Sequence, residues 1–405
     1  MKQNRLHNRL MQAYNECTRV VNIMTIPGFL IFIASMLAVA CSNAAPAGGF
    51  ENRVFETQDK NTKFRVETVA SGLEVPWAFA WLPNKDLIFT ERRGRVRIIE
   101  AGKLRAEPVF LVPDVEPSSE SGLMDISLHP DFAKNNFIYL AYSYNQDGKR
   151  VKVVRYTYAN KTFTAPKIII DNIPGSPNHA GTRCRFGPDG KLYVTTGDAT
   201  DWNQAQKLDS LSGKTLRLND DGTVPRDNPF VKTAGARPEI WSYGHRNAQG
   251  LAWQPVSGLM FQTEHGPSSF EGKGSGGDEV NIVERGQNLG WPEIHHTEKR
   301  DGMISPLLEY SPACAPASAM FYNGSVFPAF KGNFFFGCLR GARIVRVTLD
   351  GRKVVAQENL LDGVMGRIRE MEEGPDGYIY FSTSNRDGRG SPAPDDDRIM
   401  RIIPN

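Results

Sequence analysis

Apolar residues along most of the chain come in short runs, some alternating with polar residues and some unbroken, and the runs stop at Gly, Pro, Asn or Asp. Phe64 to Val69, Leu87 to Thr90, Val96 to Glu100, Phe137 to Tyr144 and Val151 to Tyr158 all read this way. Runs rich in β-branched and aromatic residues between turn formers predict strands, and no stretch keeps the period of a long helix. The clearest case is Asn178 to Asp198, NHAGTRCRFGPDGKLYVTTGD. It joins a histidine in a Gly-rich loop to the turn Gly187-Pro188-Asp189-Gly190 and then to a strand, Lys191 to Thr196. Proline presets the first corner of such a turn and glycine supplies a positive φ at the next.

This turn-then-strand phrase occurs six times, beginning at Leu82, His129, Gly187, Gln254, Phe327 and Gly374, with prolines at 83, 130, 188, 255, 328 and 375. Spacings between 47 and 73 residues suit a four-stranded unit with loops of variable length. One such unit cannot bury both faces, so the copies must close into a ring. The expected fold is all-β: a six-bladed β-propeller of four-stranded antiparallel blades spanning residues 64–405. Arg398 to Ile403 is expected to close the ring beside the N-terminal strands. The strand after each turn is expected to be the inner one. Its polar far end, Glu91-Arg92, Gly197-Asp198, Glu264-His265, Arg340 or Ser384-Asn385, would then face one mouth of the channel.

Residues 1–40 differ in kind. Lys2, Arg5, Arg9 and Arg19 precede an apolar run, Phe29 to Ala40, that is too short to span a bilayer and suits an export signal. The run ends Leu37-Ala38-Val39-Ala40-Cys41, which resembles a bacterial lipobox with Cys41 as the lipidated residue. Cleavage after the Ala38-x-Ala40 pair, leaving Cys41 a thiol, is the alternative. Residues 41–63 read as a tether, and the protein is expected to be periplasmic or lipid-anchored at the bacterial envelope. Removing residues 1–40 takes away four basic residues and one acidic residue, leaving forty-four of each sign. A balanced charge gives no reason to expect a nucleic-acid partner and leaves the oligomeric state open. Of Cys184, Cys314 and Cys338, the last two are the expected disulfide in an oxidising compartment.

His179 precedes an expected blade strand in a Gly-rich loop, where an imidazole can serve as general base near neutral pH. A lone loop histidine is more often merely hydrogen-bonded, but this one has company. Tyr243-Gly244-His245-Arg246-Asn247, Arg340 and Arg367-Ile368-Arg369 fall at corresponding loops and strand ends. Arg367 and Arg369 share a face if extended, and clustered guanidiniums match a polycarboxylate ligand. Glu264-His265-Gly266-Pro267, followed by Gly276-Gly277-Asp278-Glu279, offers backbone carbonyls and carboxylates that suit calcium.

Taken together, these residues resemble the soluble quinoprotein glucose/aldose sugar dehydrogenases. The likeness runs from about Phe64 to Ile403 through Gly72-Leu73-Glu74-Val75-Pro76-Trp77, Ser121-Gly122-Leu123-Met124, Gly244 to Leu251, Gly277-Asp278-Glu279-Val280-Asn281, Asn288-Leu289-Gly290-Trp291-Pro292 and Gly366 to Arg369. The resemblance implies a six-bladed propeller using pyrroloquinoline quinone (PQQ) and calcium to oxidise an aldose at C1, with an unspecified electron acceptor. It implies His179 as the base and Arg246 beside the reacting quinone oxygen. Glu120, Asn247, Arg340, Arg367 and Arg369 would contact the cofactor, and the backbone oxygens of Gly266 and Pro267 would hold calcium. The sequence departs from the family pattern at Asn178, where some members have an acidic residue, at Asp125, which replaces a glycine, and at Glu120, which places a carboxylate beside an anionic cofactor. Other readings of such a ring are a non-catalytic carbohydrate- or protein-binding propeller and a calcium-dependent lactonase. A binding module gives no reason for a base and a set of cations at one mouth, and a lactonase should need no quinone.

Overall fold

A computed structural model describes residues 50–405. The export segment and Cys41 lie outside them. Six antiparallel sheets, four of four strands and two of five, are arranged as the blades of a propeller. Their first strands are Pro76–Trp81, Leu123–Leu128, Gly181–Phe186, Ala248–Trp253, Pro316–Phe321 and Ile368–Glu373. Each packs against the first strand of the next blade, and the sixth returns to the first, so these strands line the axis.

The six proline-bearing turns all fall between the first and second strands of a blade. In the third blade, Gly187 N–H donates to Lys191 O at 2.9 Å and Gly190 N–H to Gly187 O at 2.9 Å, with Gly190 at φ 71°. The repeat was therefore a true blade marker, but the inner strand precedes the turn rather than following it. Both strands are mostly buried, so burial does not rank them; only their order from the axis does. The expected convergence of polar ends survives, because the second strand of each blade runs back toward the same face on which the first begins.

The ring closes as expected. The sixth sheet joins Ile368–Glu373, Ile379–Thr383 and Ile399–Pro404 to Lys63–Ala70 from the beginning of the propeller, so separating the ends of the chain would break a sheet. The propeller starts earlier than the expected boundary. Phe55–Glu56 adds a further strand to this sheet, and the Phe55 ring stacks on Phe64 at 5.7 Å. Residues 50–63 thus belong to the packed body and not to a tether. Cys314 and Cys338 are buried neighbours, as the sequence suggested, but both are thiols, as is Cys184. Each is already enclosed in core, and burial with its partner sulfur raises the Cys314 thiol pKa well above the ordinary range.

Candidate functional site

The polar strand ends and the loops leading into the first strands enclose a cavity of about 720 Å³ at one end of the axis. Hairpin register builds its centre. Gly181 pairs with Thr196, so the loop two residues before one strand lies opposite the segment two residues after the other, which brings His179 to Asp198. His179 Nδ1 lies 2.8 Å from Asp198 Oδ1. The fully buried Asp198 carboxylate also accepts from Trp291 Nε1 at 2.9 Å and from Thr200 N–H at 2.8 Å. With Nδ1–H given to the carboxylate, Nε2 is the nitrogen with a lone pair for a ligand on the cavity side. The approach is close: a Cβ on Gly197 would sit 1.8 Å from His179 O, so only glycine fits there. His179 itself holds φ 53°, a conformation that survives because its surroundings fix it.

Arg246 lines the cavity beside this pair. Its Nε and one terminal nitrogen donate to the two oxygens of buried Glu271 at 3.1 and 2.9 Å, and further donors reach His265 O at 3.2 Å and Ser268 Oγ at 3.3 Å. Four of its five N–H donors are thus engaged and one is left. Asn247, expected against a cofactor, does not reach the wall. It is fully buried behind it, accepting from Gly181 N–H at 3.2 Å and donating to Glu120 at 3.3 Å. Its place is the scaffold of the histidine loop.

Glu120 is on the wall, as expected. It accepts from His179 N–H at 3.2 Å and from Arg389 at 2.6 Å. Burial alone would raise its pKa, but the His265, Arg389 and His179 charges outweigh burial and bring it down to about 2. Arg389 also reaches Asn178 Oδ1 at 2.9 Å. The position that has an acid in some relatives is therefore an amide facing an arginine here, and the carboxylate that orients His179 is Asp198.

The cations gather as the sequence predicted. Arg340, Arg367 and Arg369 all line the cavity, joined by Arg92. Arg367 gives its Nε to Asp387 at 2.8 Å. Arg369, only 4% exposed, has Ser384 Oγ at 3.2 Å and lies over the Trp77 ring at 5.1 Å. Burial brings its pKa down to about 10. Arg92 touches backbone oxygens of Ser119 and Asp387. Among the described residues, no carboxylate pairs with Arg340, Arg369 or Arg92.

Gly266 and Pro267 also line the wall. A Cβ on Gly266 would sit 2.2 Å from Gly277 O and 2.3 Å from Gly276 O, so several backbone oxygens crowd this corner. The nearest carboxylate, Asp278, accepts from Gly266, Cys314 and Ala315 N–H groups at 2.8, 2.7 and 2.6 Å. Asp125 is elsewhere. It is fully buried among Arg183, Arg185 and Glu370 and does not line the cavity, so it places no charge on the wall.

Sequence reasoning did not single out Trp291, Glu271, Asp387 and Arg389 for a role, and named Asp198 only as a strand end. The register of the third blade is the signal that pairs Asp198 with His179; Asp387 and Arg389 reach the cavity wall, and Trp291 and Glu271 the layer behind it, from loops whose paths carry no such rule.

Residues 73–399 match the family described as Glucose / Sorbosone dehydrogenase. The chain is 36% identical to an aldose sugar dehydrogenase of Escherichia coli over 343 residues, covering 80% of this chain and 91% of the relative. A crystal structure described as a putative oxidoreductase (glucose dehydrogenase) from Thermus thermophilus superposes with a TM-score of 0.78 at 40% identity, covering 84% of this chain and all of the other. The PQQ-bound aldose sugar dehydrogenase of Streptomyces coelicolor gives a TM-score of 0.74 at 34% identity, covering 84% and 98%.

Proposed function

We propose, from the premise that this chain belongs to the glucose/sorbosone dehydrogenase family, that its sugar dehydrogenase activity is the PQQ- and calcium-dependent oxidation of the C1 hydroxyl of an aldose to the lactone. The observation that carries this reading is the His179–Asp198 pair at 2.8 Å on the wall of a cavity that also holds three guanidiniums without carboxylate partners. A base alone would serve a hydrolase as well. A base beside unmatched cations suits an enzyme whose oxidant is a polyanion.

The residues fit both groups. Arg340, Arg367 and Arg369 would hold the PQQ carboxylates through charge-assisted hydrogen bonds. The backbone oxygens of Gly266 and Pro267, residues of the cavity wall, are hard donors of the kind that calcium takes. When bound, the pair supplies a hydride acceptor activated by a Lewis acid. The chain's own part is proton chemistry and placement. His179 Nε2 takes the proton of the anomeric hydroxyl as the C1 hydrogen leaves with its electron pair, and the ring carbon becomes the lactone carbonyl. Asp198, held by Trp291 and Thr200, stabilises the imidazolium that results. Arg246, fixed by Glu271, keeps one N–H for negative charge that develops beside it. Arg389 draws the Glu120 carboxylate aside and offsets its charge, which answers the objection that an acid stands near an anionic cofactor.

The test is a titration of chelator-stripped protein with PQQ in calcium, followed by absorption while a panel of aldoses is added. A saturable spectrum that converts to the reduced form with sugar is expected; absence of PQQ binding in the presence of calcium would overturn the reading. His179→Gln should lower kcat by about a thousandfold and leave the PQQ titration unchanged, and retained turnover would remove His179 as the base. The export segment and Cys41 support placement at the bacterial envelope. Cys41→Ser should move the protein from the membrane fraction to the soluble fraction; an unchanged distribution would exclude the lipid anchor.

A further inference from the structure

The segment Ser268–Gly277 edges the cavity between the second and third strands of the fourth blade. It carries one feature that neither proton chemistry nor cofactor binding uses. Phe270 lies on the cavity wall and is 76% exposed, whereas the other large exposed apolar side chains, such as Val256 and Ile168, are away from the cavity. Among the described residues it is the one Phe, Tyr or Trp ring on that wall, which is otherwise mostly charged and polar.

The loop that presents it is fixed. Glu271, next in sequence, is 8% exposed and clamps Arg246 with both oxygens, while Ser268 and Glu271 cap each other reciprocally. One ligand atom each of Glu271, His179 and Asp198 lie within 4.8 Å of one another. The ring of Phe270 therefore projects from the residue beside one that touches the reaction centre.

A pyranose has apolar C–H faces and polar edges. An exposed aromatic face beside hydrogen-bonding groups is the matching surface. We propose that Phe270 is the platform on which the sugar ring stacks, making it a specificity-determining residue for aldoses in the pyranose form; the proposal rests on the dehydrogenase reading above. Arg246, which Glu271 clamps, and His179 then face the hydroxyl edge.

The test uses the full chain loaded with PQQ and calcium, with glucose and maltose as probes and a dye as electron acceptor. Phe270→Ala should raise the aldose KM about tenfold with kcat changed less than about twofold, while Phe270→Tyr stays near the parent. Saturation-transfer NMR should show transfer from protein aromatic protons to the sugar C–H protons, weakened by the alanine variant. An unchanged PQQ titration would show that both variants are folded. Turnover with unchanged aldose KM and unchanged transfer in Phe270→Ala would overturn the platform and leave the dehydrogenase reading intact. A rise in KM for the dye alone would also overturn it, by making Phe270 an acceptor contact. Transfer in the parent, lost in Phe270→Ala, without turnover of any aldose would support the platform while removing the dehydrogenase reading.

Discussion

Two sets of arginines in this propeller, Arg183 and Arg185 among the inner strands and Arg340, Arg367 and Arg369 on the cavity wall, are handled in opposite ways; Arg246 and Arg389, also on the wall, are paired with Glu271 and Glu120. Inside, Arg183 is paired with Asp125 at 3.0 Å and Glu370 at 2.7 Å, and Arg185 with the same two carboxylates at 2.6 and 3.2 Å. Ser318 and the Cys184 N–H fill out the remaining acceptors at 2.9 and 2.6 Å. At the mouth, Arg340 and Arg369 have no carboxylate partner among the described residues, and Arg367 has Asp387 only through Nε. Trp77 touches both groups, with Arg183 at 4.7 Å and Arg369 at 5.1 Å from its ring. A protein that compensates one buried guanidinium on this ring so fully, and leaves its neighbour on the same ring uncompensated, has kept that second charge for something outside the chain. Buried charges need partners to be tolerated. An unmatched set that faces a cavity is therefore a ligand signal, and a matched set is architecture.

The comparison can be broken from either side. The largest effect should come from Arg183→Met, which leaves two buried carboxylates, Asp125 and Glu370, sharing Arg185 alone; it is expected to cost about 3–5 kcal/mol of stability by chemical denaturation. A loss well under 1 kcal/mol would show that the inner group is not architectural. Arg369→Met should behave in the opposite sense. On the PQQ reading it weakens cofactor affinity by about ten- to a hundredfold, as loss of a charge-assisted contact does, with no fall in the melting temperature of the unloaded protein. Equal affinity for PQQ would break the assignment of the mouth.

Acid should separate the regions further. The folded pKa of Glu120 lies below its ordinary 4.5, at about 2, so its contribution is fully present above about pH 4.5 and is lost as pH falls toward 2. Glu120→Gln should flatten the stability profile in that window and lower stability at neutral pH, where the contribution of the carboxylate is fully present. A profile as steep as the parent's would mean that Glu120 does not carry the acid dependence. The smallest effect is expected for Arg340→Lys. It keeps the charge and loses the fork, so PQQ affinity should fall by about threefold; a drop as large as that of Arg340→Ala would mean that geometry rather than charge decides binding there.

Much of the site was legible because a propeller makes strand ends equivalent. Arg340, Arg367 and Arg369 could be placed at one mouth from their position relative to the proline turns, and Glu120, Arg246, Gly266 and Pro267 joined them on the same wall. Asn247 differs from Arg246 for a reason of scale: it sits one residue further along a loop, and a single step turns its side chain from the cavity to the interior. Asp125 stood out only as a replacement for a family glycine; its side chain points into the ring, where Arg183 and Arg185 meet it.

The sequence by itself determined the number of blades, the closure through both ends of the chain and the residue types gathered at the mouth. Each of these follows from local turn chemistry, apolar patterning and repetition, which a linear chain displays directly. Only the tertiary structure decided which strand is innermost, that Cys314 and Cys338 remain thiols, that Asp198 orients His179, that Arg246 is clamped by Glu271, and that Phe270 stands exposed on the wall. Those outcomes depend on which groups from distant loops compete for the same donor or the same space. Such competition is settled by three-dimensional packing and desolvation, which have no local signature.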